Sequence, residues 1–154
     1  MRPVSRGTAP NGGTYSPYRT AFVPLITRIG DYCSYCERRV EVSLAVEHIQ
    51  PKGLAAYEHL EAVWSNFLLG CTNCNSTKGD QDVVFADILM PDRDNTFMAY
   101  EYEADGSLTV AAGLAPPLDA QAKELLRLTG LDRTVAASCG SRSRLFKTIC
   151  RTAA

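Results

Sequence analysis

Two cysteine pairs carry the plainest chemistry in this chain. Cys33-Ser34-Tyr35-Cys36 and Cys71-Thr72-Asn73-Cys74 each set two thiols at the spacing of a tight metal knuckle. Together they offer four thiolates, the set that tetrahedral Zn²⁺ takes in closed structural sites, which leave no position for water. A redox dithiol and chance pairs of buried cysteines compete with this reading, but the doubled pattern favours zinc. Cys139 and Cys150 have no such pattern and read as free or buried thiols. Between the pairs, Val46-Glu47-His48-Ile49-Gln50-Pro51-Lys52 puts a carboxylate beside an imidazole. An imidazole can work as a general base near neutral pH, and a carboxylate is a ligand for hard cations. Asn66 supplies an amide further on, and Asn75 comes directly after the last cysteine of the second pair. His59 has no such context and reads as a surface or satisfied core residue.

These groups need elements to hold them. Residues 42–46 alternate weakly and predict a strand running into Glu47-His48. A polar, partly helical crossover follows, then a second short strand, Phe67-Leu68-Leu69, ending at Gly70. Residues 71–78 can open a helix that Gly79 closes or bends. Zinc would then clamp the start and end of this insert. Residues 1–16, rich in Gly, Pro, Ser and Thr, predict an arm with little structure of its own. Tyr18, Phe22, Leu25, Ile26 and Ile29 recur at helical spacing before Gly30, with Pro24 required near the first turn. Downstream, residues 97–102 and 107–111 flank Asp105-Gly106, a hairpin signal. Pro116-Pro117 introduces a helix carrying Leu118, Ala122, Leu125 and Leu126, with Gly130 past its end, and Leu145 and Ile149 mark a possible short basic helix. The expectation is one α+β domain over residues 1–154: basic arm and helix (1–30), zinc-bound core (31–80), hairpin and C-terminal helices (81–154).

Sixteen Lys and Arg against seventeen Asp and Glu leave a net charge of −1, which argues against gripping nucleic acid by bulk electrostatics alone. The distribution says more. Arg2, Arg6, Arg19 and Arg28 precede the first acid, Asp31; eight acids crowd residues 80–105 against Arg93 alone; Arg133, Arg142, Arg144, Lys147 and Arg151 follow Asp132 without an acid. Phosphate contacts are therefore expected from the ends and the central motif, with Arg38, Arg39, Lys52 and Lys78 as the central candidates. The acidic stretch should face away from nucleic acid or toward a protein. Asp92, Asp94 and Asn95 could suggest a second cation site, though turn chemistry explains them better. No apolar run is long enough to span a membrane, and the first residues lack the apolar core of a secretory signal, so the expected location is cytoplasmic.

The order of these motifs resembles the HNH endonuclease family: a Cys-x-x-Cys, an Asp/Glu-His-x-x-Pro strand, an internal Asn, then Cys-x-x-Cys-Asn-x-x-Lys-Gly. The resemblance covers Cys33 to Gly79, with Asn75 where the third signature His often stands. It implies a zinc-stapled ββα-metal core and hydrolysis of DNA phosphodiesters. It also implies roles: His48 deprotonates the attacking water, Glu47 and Asn75 hold catalytic Mg²⁺ or Mn²⁺, and Asn66 braces the crossover loop. The flanks, with Cys33-Ser34-Tyr35-Cys36-Glu37-Arg38-Arg39, Pro91-Asp92-Arg93-Asp94-Asn95-Thr96 and Leu128-Thr129-Gly130-Leu131-Asp132-Arg133, look like compact HNH proteins of bacterial anti-phage modules. They resemble the nuclease subunit of the Septu system, which implies an ABC-type ATPase partner beside DNA. The competing class is a zinc-ribbon module that binds protein or nucleic acid without chemistry, and a third is an interaction subunit whose nuclease site has decayed.

Overall fold

The computed structural model describes residues 1–104 and 107–133. Its centre is a two-stranded antiparallel ribbon, β1 (Leu44–His48) against β2 (Phe67–Cys71), in register from Leu44↔Cys71 to His48↔Phe67. Opposed residues share a face, so Ala45, Glu47, Leu68 and Gly70 lie on one side, and Val46, His48, Phe67 and Leu69 on the other. The first strand starts later than the alternation predicts, and Val42, 80% exposed, stays outside it. The second continues through Gly70 to Cys71 and is buried throughout, which is why it reads as an apolar run and not as an alternation.

Two helices pack on β2. A 3₁₀ turn (Tyr18–Ala21) leads into α1 (Phe22–Ile29), with Pro24 in the first turn and Gly30 leaving the helix at φ 83°. The sequence periodicity runs across both segments as one. The other helix, α2 (Thr72–Lys78), follows β2 directly with Cys71 as its N-cap, and ends at Gly79. Seven residues make no stable helix alone; burial of Cys74 and Lys78 holds this one. The crossover between the strands contains 3₁₀ turns at Ala55–Leu60 and Trp64–Asn66.

The first sixteen residues depart most from expectation. Met1, Val4 and Tyr15 are buried in the core, and Val4 donates its amide to Pro91 O. Arg6 donates to Ser65 O and Phe67 O and pairs with Asp92 at 2.8 Å. Arg28 donates to Arg6 O and Thr8 O and lies over the Trp64 ring, whose Nε1 donates to Gly7 O. Arg2 donates to Ile29 O and stacks over Tyr32. Three of the four N-terminal arginines thus tie the arm to its own body.

The acidic stretch also contributes to the structure. Asp92, 2% exposed at its side chain, sits between Arg6 and Arg93, and Asp94 accepts the Met90 amide across a turn, the turn chemistry expected there. Beyond it, β3 (Tyr100–Tyr102) and β4 (Leu108–Val110) form an antiparallel hairpin, shorter than the sequence limits. The long helix α3 (Pro116–Thr129) begins with Pro116, ends at left-handed Gly130 and packs on α2. The Asp105-Gly106 turn, Cys139, Cys150, the expected helix around Leu145 and Ile149 and the tail cations Arg142, Arg144, Lys147 and Arg151 lie outside the described residues. None of the described helices is long and apolar enough to cross a membrane.

Candidate functional site

The two knuckles meet. The Sγ atoms of Cys33, Cys36, Cys71 and Cys74 all lie within 4.8 Å of one another, and Cys36 and Cys71 are 3.8 Å apart. Tetrahedral thiolates at the usual Zn–S distance stand about 3.8 Å apart, so the donor set and spacing fit a structural zinc. The first knuckle is shaped by Glu37 in a left-handed conformation (φ 57°), with its amide on Cys33 O. Ser34 then exchanges hydrogen bonds with Leu69, which fastens the knuckle to β2, and the Cys71 amide donates to Cys33 Sγ. Zinc would therefore lock β2 to the loop before β1.

At the far end of β1, His48 is nearly buried, edge-on to Tyr18 (4.6 Å) and Phe67 (5.2 Å). Its Nε2 lies 2.9 Å from Glu61 O. A carbonyl only accepts, so Nε2 carries the proton and Nδ1 keeps its lone pair. Among the described residues Nδ1 has no hydrogen-bond partner, and His48 lines a cleft. Burial holds the imidazole below its usual pKa of 6.5, against the opposing pull of Glu61 O, so it is neutral at pH 7. A fixed, neutral imidazole with one free lone pair is what a general base requires.

Glu47 lies on the opposite face of the ribbon, toward α2, and is 4% exposed. Its Oε1 accepts from Lys78 Nζ at 2.8 Å and from Tyr35 OH at 3.4 Å. Burial pushes its pKa above the ordinary carboxylate value, with the Lys78 ammonium opposing. Burial likewise drives the Tyr35 phenol well up, so it donates as a neutral hydroxyl. Asn75 approaches Glu47 over Gly70: a Cβ on Gly70 would stand 3.1 Å from Glu47 Cβ and 3.4 Å from Asn75 Cβ. The Asn75 amide makes no hydrogen bond to another described side chain. A carboxylate and an amide oxygen, both hard donors meeting where a glycine leaves room, fit Mg²⁺ or Mn²⁺. A cleft of about 190 Å³ is lined by Tyr18, Glu47, His48, Lys52, Asn75 and Asp80.

Asn66 spans the crossover. Its Oδ1 accepts the Gln50 amide (2.9 Å), and its Nδ2 donates to Gln50 O (2.9 Å) and Leu60 O (3.4 Å). The residue touches neither His48 nor Glu47; it fixes the chain just past His48 to the loop that carries Glu61.

The four central cations separate. Lys52 is exposed at the cleft, paired with Glu61 and 4.6 Å above the Tyr18 ring. Arg39 is exposed and paired with Asp31, and Arg38 sits beside the Cys36 and Cys71 thiols. Lys78 departs from the expectation of a phosphate contact: it is 1% exposed, because α2 docks with this face inward, and it binds Glu47 and His48 O. Sequence reasoning missed Tyr35, Gly70, Tyr18 and Arg19. A tyrosine inside the knuckle and a glycine within a strand were the available signals, and Tyr18 looks like core until the fold brings it to His48, with Arg19 over its ring.

Residues 33–81 match the family model of the HNH endonuclease. That segment holds both knuckles, both ribbon strands and α2, so the match falls on the site described above, within an α+β fold. No curated protein matches the chain.

Proposed function

We propose that the chain is a metal-dependent DNA endonuclease that works within a larger complex. One observation carries the reading: the Glu61 carbonyl fixes the His48 proton on Nε2, leaving Nδ1 open beside a cleft that Glu47 and Asn75 also line. His48 Nδ1 takes a proton from water aligned with the scissile phosphorus, and Asn66 keeps the ring in place by holding the loop behind it. Glu47 and Asn75 would hold Mg²⁺ or Mn²⁺, which when bound stabilises the charge on the phosphate and on the departing oxygen. Lys52 at the cleft, and Arg19 over the Tyr18 ring, offer phosphate contacts. The test is nicking of supercoiled plasmid with added Mg²⁺ or Mn²⁺. Wild type should cut, and His48→Ala should fall by ~10²- to 10⁴-fold while still folded. Plasmid that is bound but never cut would select the non-catalytic zinc module instead.

The complex is argued from charge. Among the described residues Arg2, Arg6 and Arg28 are engaged internally and Lys78 is buried, so few of those cations remain to release counterions from DNA, and the lone protein should bind loosely at physiological salt. A partner would supply the positive channel and dock on exposed acids such as Asp87 and Glu101. The resemblance to the Septu nuclease subunit supports an ABC-type ATPase in an anti-phage, cytoplasmic setting. Submicromolar binding of the lone chain to duplex DNA at physiological salt would defeat this part of the reading.

A further inference from the structure

The two oxygens of Glu47 have different surroundings. Oε1 is held by Lys78 Nζ and Tyr35 OH, at 2.8 and 3.4 Å. Oε2 has no side-chain hydrogen bond among the described residues, and Glu47 lines the cleft. Lys78 also donates to His48 O at 2.8 Å. One buried ammonium therefore supports two consecutive residues, the carboxylate of Glu47 and the backbone beneath the His48 ring. The buried pair also cancels in charge. Glu47 brings one negative charge, Lys78 one positive and Asn75 none, so the ligand set offered to a divalent cation is close to neutral. Affinity for hard divalent cations follows the count of ligand charges, and Mg²⁺ sites with few carboxylates are completed by substrate phosphates.

We infer that Lys78 is a positioning residue that holds one oxygen of Glu47, leaves the other without a side-chain partner and cancels the charge, so that the divalent cation is taken up together with a substrate phosphate. This rests on the endonuclease reading. By linkage, DNA then tightens the cation by the same factor as the cation tightens DNA.

The test uses the full zinc-loaded chain carrying His48→Ala, so that DNA stays intact. Mn²⁺ is titrated with and without a short duplex, and free Mn²⁺ is read by electron paramagnetic resonance. The duplex should tighten Mn²⁺ by roughly tenfold or more, as a coupling of ordinary size. Lys78→Gln, which keeps a donor for His48 O and removes the charge, should tighten Mn²⁺ on the DNA-free protein by a similar factor and shrink the effect of the duplex. Lys78→Arg should behave as Lys78 does. Unchanged or weaker Mn²⁺ binding in folded Lys78→Gln overturns the inference. If that variant does not fold, the parent chain still decides: Mn²⁺ held as tightly without duplex as with it overturns the inference, and tightening by the duplex supports it. No Mn²⁺ binding in any arm, with no plasmid nicking by the wild-type chain, removes the endonuclease reading and this inference with it. Nicking by the wild-type chain with no effect of duplex or of Lys78→Gln on Mn²⁺ removes this inference alone.

Discussion

Adding one methyl group at Gly70 tests whether Glu47 and Asn75 act as a pair. A Cβ there would stand 3.1 Å from Glu47 Cβ, 3.3 Å from its Cγ and 3.4 Å from Asn75 Cβ. Carbon pairs at rest sit roughly 3.5–4.0 Å apart, so Glu47 must give way by a few tenths of an ångström. It is poorly placed to do so, with Oε1 held by Lys78 and Tyr35 and its strand paired to β2. Overpacking of this kind costs ~1–3 kcal/mol, offset by ~0.5–1 kcal/mol for replacing a strand glycine with alanine, a net loss of about 0–2.5 kcal/mol. At ~2–4 °C per kcal/mol for a chain of this size, melting should fall by no more than about 10 °C. Catalysis should suffer more. A misplacement of ~1 Å can cost ~10²-fold, so a few tenths at Glu47, moved relative to Asn75, should cost roughly tenfold and raise the Mn²⁺ needed for half-maximal rate. The assay is the initial nicking rate of supercoiled plasmid by Gly70→Ala across a Mn²⁺ series, with melting measured in parallel. Nicking as fast as wild type at every Mn²⁺ concentration, in a folded variant, would refute the pairing.

Other perturbations separate the supporting parts. Asn66→Ala removes three hydrogen bonds and strands the Gln50 amide and carbonyl, so denaturant unfolding should show a loss of ~2–4 kcal/mol together with reduced nicking. His48, held low by burial, should titrate below 6.5 by ring NMR, and nicking should fall on the acid side as the base is protonated. Because the unfolded chain takes up that proton first, the His48 contribution to stability should decline as pH drops below about 6.5 toward the folded-state value. Purified protein should carry about one zinc, and Cys74→Ser should lower its content and the melting temperature together. Arg6→Ala leaves Asp92 with Arg93 alone and frees two carbonyls; the loss should be ~2–4 kcal/mol, below the full cost of breaking a buried pair, with the salt slope of DNA binding unchanged.

What could be read from the sequence is what local spacing determines. Zinc needs four sulfurs a few ångströms apart, and two residues between cysteines already bring each pair close, so the knuckles were readable without the fold. The Glu47-His48 strand and the helix that carries Cys74 follow from the same local order. The hidden part depends on where a side chain points after docking. Lys78 follows the cysteine-rich turn as a surface lysine would, and only the seating of α2 on the ribbon turns it inward to Glu47. Gly70 looks like a strand end until Glu47 and Asn75 converge on it. The arm misleads for a more general reason. A run of arginines without acids looks like a phosphate footprint, but a guanidinium has five donors in a fixed fork that suit protein carbonyls as well as phosphates. Arg6 meets Ser65 O and Phe67 O, and Arg28 meets Arg6 O and Thr8 O, so the basic composition fastens a Gly- and Pro-rich segment that has no regular ladder of its own. Charge counted along a sequence bounds how many phosphates a chain can neutralise; which cations remain free to do so is decided by the carbonyls the fold leaves unpaired.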